Sequence, residues 1–113
     1  MKNHNIIARF AATCCDGETS IENCEPIPVG PGLEYLYQLS GVYIVHGEKR
    51  EILQIGYGKN KIRDVLKPKL EAKNGWKDCK PAEVSAIILK GPSIKYADKI
   101  KRILKAWLKP KYR

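Results

Sequence analysis

The sequence predicts an α+β fold: a small three-stranded antiparallel sheet flanked by helices, ordered β-β-α-β-α after an N-terminal extension. Three observations predict it. Val42–Val45 and Ile52–Ile55 are β-rich apolar runs joined by the polar Gly47–Glu48–Lys49–Arg50, which is the pattern of a β-hairpin. Residues 83–90, EVSAIILK, form the best single strand pattern in the chain. Residues 94–108 repeat Ala97, Ile100, Ile103, Leu104, Trp107 and Leu108 at helical spacing, with Lys95, Lys99, Arg102, Lys105 and Lys109 mostly on the other faces. Helices and a sheet patterned this way bury their apolar faces against each other in one layered core.

Taken in order, residues 5–12 read as a strand or a short helix, with Ile6 and Ile7 favouring strand. Residues 13–32 hold Pro26, Pro28 and Pro31 among Gly17, Gly30 and Gly32, so no long helix forms there. The stretch is an ordered loop on the core or a partly mobile arm. Residues 33–39 read as a short helical turn or strand leading into the hairpin. Gly56–Tyr57–Gly58 reads as a turn feeding a helix capped by Asn60, with Ile62, Val65 and Leu66 as its apolar stripe. Pro68 ends or kinks that helix, and Asn74–Gly75 stops any continuation. Residues 76–81 connect to the third strand. Ser93 caps the last helix and Pro110 stops it. The division is an extension over 1–37 and a domain over 38–113.

At 113 residues the chain is one domain with a modest core. No apolar run approaches the ~20 residues that span a bilayer, and Arg9 breaks the N-terminal apolar run, so neither a membrane partner nor a signal peptide is expected. Cys14, Cys15, Cys24 and Cys79 are unevenly spaced and form no CxxC. A zinc site among the first three is a weak signal beside ordinary reduced thiols, which suit a reducing, intracellular and cytoplasmic setting. Lysine and arginine number 21 against 12 acids, a net charge of +9. Such a balance favours a polyanion partner, with nucleic acid first and an acidic protein or membrane surface second.

Gly41–Val42–Tyr43, then Gln54–Ile55–Gly56 about ten residues on, then the basic Lys59–Arg63, and finally Leu108–Lys109–Pro110–Lys111–Tyr112 recur in a set order. In that order and spacing the chain resembles the GIY-YIG nuclease domain over roughly residues 38–113. The resemblance implies a metal-dependent phosphodiesterase scaffold. In it the first-motif tyrosine serves the attacking water, a first-helix arginine steadies the phosphate, and a last-helix glutamate holds Mg2+ or Mn2+. Carried over residue by residue, Tyr43 takes the first role and Arg63 the second, one position early. Gln54 replaces the second-motif tyrosine, and Tyr57 is the residue that could cover it. The glutamate position falls on Lys101, which repels a cation. Asp98 one turn earlier and Glu51 in the second strand are the substitute acids.

These departures imply a nucleic-acid-binding domain, DNA before RNA, whose cutting centre is degenerate. Lys59, Lys61, Arg63, Lys67, Lys101 and Lys105 would meet phosphates, with Lys69 part of the same basic strip. The alternative is an active divergent endonuclease using Tyr43, Arg63 and Asp98 or Glu51 with Mg2+ or Mn2+. A further alternative is a small viral or mobile-element module that binds an acidic protein partner. Each residue also has a plain structural reading: a half-buried strand aromatic for Tyr43, a solvated helix residue for Arg63, and the wet faces of packed helices for the lysines. His4 and His46 show no partner in sequence for acid/base work.

Overall fold

The computed structural model describes residues 21–72, 76 and 79–112. The readings made for residues 5–12, Cys14, Cys15 and Asn74–Gly75 lie outside the described residues. The elements are β1 (Ile21–Pro28), α1 (Leu33–Tyr37), β2 (Gly41–Gly47), β3 (Ile52–Gly58), α2 (Ile62–Glu71), β4 (Pro81–Leu89), a 3₁₀ helix (Gly91–Tyr96) and α3 (Ala97–Leu108). The fold is α+β, with a four-stranded sheet in the order β1-β4-β2-β3 and every neighbouring pair antiparallel. The expected three-stranded sheet is therefore short by one strand.

The missing strand is β1, which lies in the Pro/Gly-rich stretch read as a loop or arm. Proline there is compatible with pairing because β1 is an edge strand: it needs only the hydrogen bonds to β4, and its outer side needs none. The register shifts between Cys24 and Ile27, which spans Pro26. The backbone continues the ladder after Pro28, where the Val29 N–H donates to the Ala82 carbonyl at 2.9 Å.

β2 is the central strand, held by β3 on one side and β4 on the other, and buried along its whole length. Its side chains alternate between two cores. Tyr43 and Val45 join Leu53, Val84, Ala86 and Ile88 under α1 and α2. Val42 and Ile44 join Ile55, Ile87, Leu89, Ala97, Ile100 and Leu104 under α3. Helices thus cover both faces of the sheet. Gly41 starts β2 at φ +148°, and a Cβ there would stand 2.1 Å from the Ile87 carbonyl oxygen. Only glycine lets the strand enter the sheet so close to β4.

Several local readings are corrected. Gly56–Tyr57–Gly58 is not a turn, because β3 pairs through Gly58 opposite Gly41. Asn60 does not cap α2. Lys61 occupies the cap position without a side-chain bond, while the Asn60 carbonyl accepts from the Ser40 hydroxyl at 2.6 Å. The α2 start is held instead by the Ile62 N–H donating to the Leu39 carbonyl at 2.8 Å. Pro68 does not end α2, which runs on to Glu71. Proline removes the N–H that would reach the Asp64 carbonyl, but Asp64 and Pro68 are both exposed, so water can serve that carbonyl. The last helix starts later than expected. The 3₁₀ helix takes up 91–96, and Tyr96 rather than Ser93 holds the α3 cap position. Trp107 is 47% exposed rather than buried, since it lies on the flank of the Ala97–Ile100–Leu104 stripe.

After α3, Lys109 adopts a left-handed conformation and closes the helix with its N–H on the Lys105 carbonyl. The tail then crosses the outer edge of β3. The Lys111 and Tyr112 N–H groups donate to the Ile52 and Leu53 carbonyls at 3.1 and 2.7 Å. Tyr112 reaches the core under α1 and α2 and meets Trp76 edge-on at 5.6 Å.

Candidate functional site

Tyr43 is fully buried, with no exposed surface. Its ring lies across β3 at Gly56, where an added Cβ would stand 2.2 Å from the phenol oxygen. Glycine at 56 is therefore a steric requirement for where the phenol sits. Tyr43 and Gly56 are direct cross-strand partners, which explains why the two motifs need their spacing. The Lys69 ammonium, from the core-facing flank of α2, donates to the Tyr43 hydroxyl at 3.1 Å. Burial pushes the Tyr43 phenol up to about 12. At neutral pH it is a protonated, enclosed group, poorly suited to take a proton from water.

Arg63 is not the partner of that hydroxyl. It is exposed on the other flank of α2, where its charge opposes the rise of the Tyr37 phenol that burial, Glu71 and Glu34 cause. The two flanks follow from helix geometry. Lys69 lies six positions after Arg63, about 600° of rotation, so they diverge by about 120°. Lys67 is half-buried, and Lys59 and Lys61 are exposed where β3 hands over to α2.

Tyr57 faces the opposite side of the sheet from Tyr43, as the alternation of β3 requires. It packs beside the α3 core, and the Lys101 ammonium sits over its ring at 5.0 Å. The structure therefore does not bring Tyr57 and Tyr43 to one face. What it does bring together is cationic. The Lys69 amine is lowered by burial first, and then by the charges of Lys105 and Lys101. Lysines from α2 and α3, which cover opposite faces, thus converge around the edge strand β3. Lys69 was legible only as one more member of a basic strip. The available signal was its i+3 spacing from buried Leu66, which puts it beside the core.

The substitute acids are committed elsewhere. Asp98 is bound by Arg102 at 2.5 Å and by Lys101 at 3.6 Å. Partial desolvation would raise its carboxyl, but the Arg102 hydrogen bond and charge, with Lys101, outweigh it and hold the carboxyl low. Glu51 accepts the Lys49 N–H at 3.0 Å and lies over Gly47 in the hairpin loop, where Arg50 takes a left-handed φ of 62°. A divalent cation needs converging oxygen donors. Among the described residues no group of three acids, histidines or cysteines could hold a metal. The side chains at the expected place, Lys101 with a doubly paired Asp98, do not fit Mg2+ or Mn2+. His46 is buried against the Ser85 hydroxyl at 2.7 Å, a structural pair inside the sheet. The Cys24 thiol donates to the Glu25 carbonyl at 3.6 Å, and the Lys111 ammonium donates to the Cys79 sulfur at 3.0 Å. A shallow pocket of about 280 Å³ lies away from Tyr43, lined by Val29, Leu70, Trp76 and Cys79 near the start of β4.

The fold and site define an α+β domain with a lysine cluster wrapped around one sheet edge. The chain matches no family model, no curated protein and no solved structure. No helix among the described residues is long and apolar enough to cross a membrane.

Proposed function

We propose that the protein is a nucleic-acid-binding domain of GIY-YIG-like fold whose phosphodiesterase centre is degenerate. The observation that carries the reading is the placement of two lysines against β3, Lys69 on the Tyr43 hydroxyl beside Gly56 and Lys101 over the Tyr57 ring, with Asp98 tied up by Lys101 and Arg102. The order β2-β3-α2-β4-α3, with Tyr43 and Gly56 paired, supports the resemblance. The net charge of +9 supplies the field, and Lys59 and Lys61 between β3 and α2, with Arg63 and Lys67 on α2, extend it. Phosphates lie against the β3 edge, and DNA is the preferred polymer. No step of hydrolysis is assigned, because the donor set does not suit the metal that the chemistry needs.

Fluorescence anisotropy with a labelled DNA duplex over a salt series tests this. Log affinity is expected to fall linearly with log salt. The Lys101→Ala/Lys105→Ala pair should flatten that slope by about 1.8, on the basis of ~0.9 per phosphate contact. A salt-independent affinity would sink the phosphate reading and leave an acidic protein partner as the better account. A supercoiled plasmid incubated with Mg2+ or Mn2+ is expected to stay intact. Nicking that Tyr43→Phe abolishes would restore the enzyme.

A further inference from the structure

The amine of Lys69 is set apart from the other lysines of the basic surface. It is half-buried on the core side of α2 and bonded to a buried hydroxyl. Among the described residues no carboxylate lies within salt-bridge distance of it, whereas Lys101 is held by Asp98. Its charged neighbours are Lys101 and Lys105. A lysine desolvated beside other cations is the arrangement that activates an amine as a nucleophile toward carbonyl carbon.

We propose that Lys69 is a catalytic nucleophile that condenses with the aldehyde of an abasic site in DNA and cleaves the strand by β-elimination. The inference rests on the nucleic-acid reading above, which brings a phosphate backbone to the same edge. The neutral amine attacks C1′ of the ring-opened sugar, and loss of one water leaves an imine. The imine acidifies C2′. Its proton passes to solvent, the C–H electron pair becomes the C2′–C3′ double bond, and the C3′–O bond breaks with the phosphate as leaving group. Water then hydrolyses the imine, returning the free amine and an unsaturated aldehyde. No metal, oxidant or reductant enters. Burial and the flanking lysines both lower the Lys69 pKa, which raises the neutral fraction this chemistry needs. Tyr43 positions the amine through its hydroxyl and stays protonated.

The test uses the full chain and a duplex with one abasic site, with sodium borohydride added to reduce the imine to a stable protein–DNA adduct. The wild type is expected to give a covalent band whose modified peptide contains Lys69. Lys69→Arg keeps the charge and should lose the band by about tenfold or more, because a guanidinium does not form the imine. Lys49→Arg, in the exposed hairpin loop, should trap like the wild type. Adduct mapped to another lysine, or undiminished trapping by Lys69→Arg, would overturn the proposal. Mapping on the wild type needs no variant, so misfolding cannot mask the answer. Anisotropy with the same duplex carrying a non-aldehyde abasic analogue separates the two readings: binding without trapping removes only the lyase, whereas no binding removes both.

Discussion

The two faces of the sheet are built from different materials. Under α3 the core is the aliphatic set Val42, Ile44, Ile55, Ile87, Leu89, Ala97, Ile100 and Leu104, with the His46–Ser85 pair as its polar content on that face of the sheet. Under α1 and α2 the core includes Tyr43, whose hydroxyl accepts a hydrogen bond from the Lys69 ammonium, with Trp76 and Tyr112 packed at its margin. Each large aliphatic side chain buried under α3 contributes about 1.5–3 kcal/mol. The other face gives up some of that to hold a phenol and an amine in partial desolvation. The contrast is one of depth: Lys101 meets the α3 face only over the half-buried Tyr57 ring, whereas Lys69 reaches a hydroxyl that is itself buried, and function is to be sought where the cation goes in deeper.

The largest effect should come from the aliphatic face. Leu104→Ala leaves a cavity under the sheet and is expected to cost about 2–5 kcal/mol in urea unfolding. A loss under about 1 kcal/mol would mean α3 is only loosely docked. The next effect sharpens the contrast by pH. The Tyr43 phenol is at about 12 in the folded chain against an ordinary 10.0. Folding therefore favours the neutral phenol. Its stabilising contribution is complete below about pH 10 and is lost as pH rises from about 10 to about 12. The difference of about 2 units corresponds to about 2.7 kcal/mol. Between those pH values the wild type should lose roughly 2–3 kcal/mol more than Tyr43→Phe in chemical denaturation. Parallel curves for the two proteins would mean the phenol ionises freely.

The smallest effect concerns the α3 surface. Asp98→Ala removes an exposed i,i+3 and i,i+4 pair, so the denaturation midpoint should not move measurably. Freed Lys101 and Arg102 should strengthen oligonucleotide binding slightly in anisotropy titrations at low salt. Weaker binding that magnesium restores would show that Asp98 serves a cation after all, and the degenerate-centre reading would fail.

The hairpin, the α3 stripe other than Trp107 and the strand near 83–90 were legible from the chain alone, because they depend on local period and β-branched composition. The pairing of Gly56 with Tyr43 was not, since Gly56–Tyr57–Gly58 reads locally as a turn and only the ladder to Gly41 carries β3 through it. Nor did the sequence show β1, because proline tolerance on an edge depends on which strand ends up outermost. The extent of α2 past Pro68 was equally hidden, since it turns on whether the orphaned carbonyl at Asp64 faces water. Within the site, Tyr43, Tyr57, Lys101 and Lys105 were all legible as residues, but their grouping was not. Strand alternation sends Tyr57 to the face opposite Tyr43, and helix rotation turns Arg63 away while bringing Lys69 inward. Only the packing of α2 and α3 on opposite faces of one edge strand brings Lys69, Lys101 and Lys105 into one field. Such a field depends on distances through space, and these are decided by tertiary structure rather than by spacing along the chain.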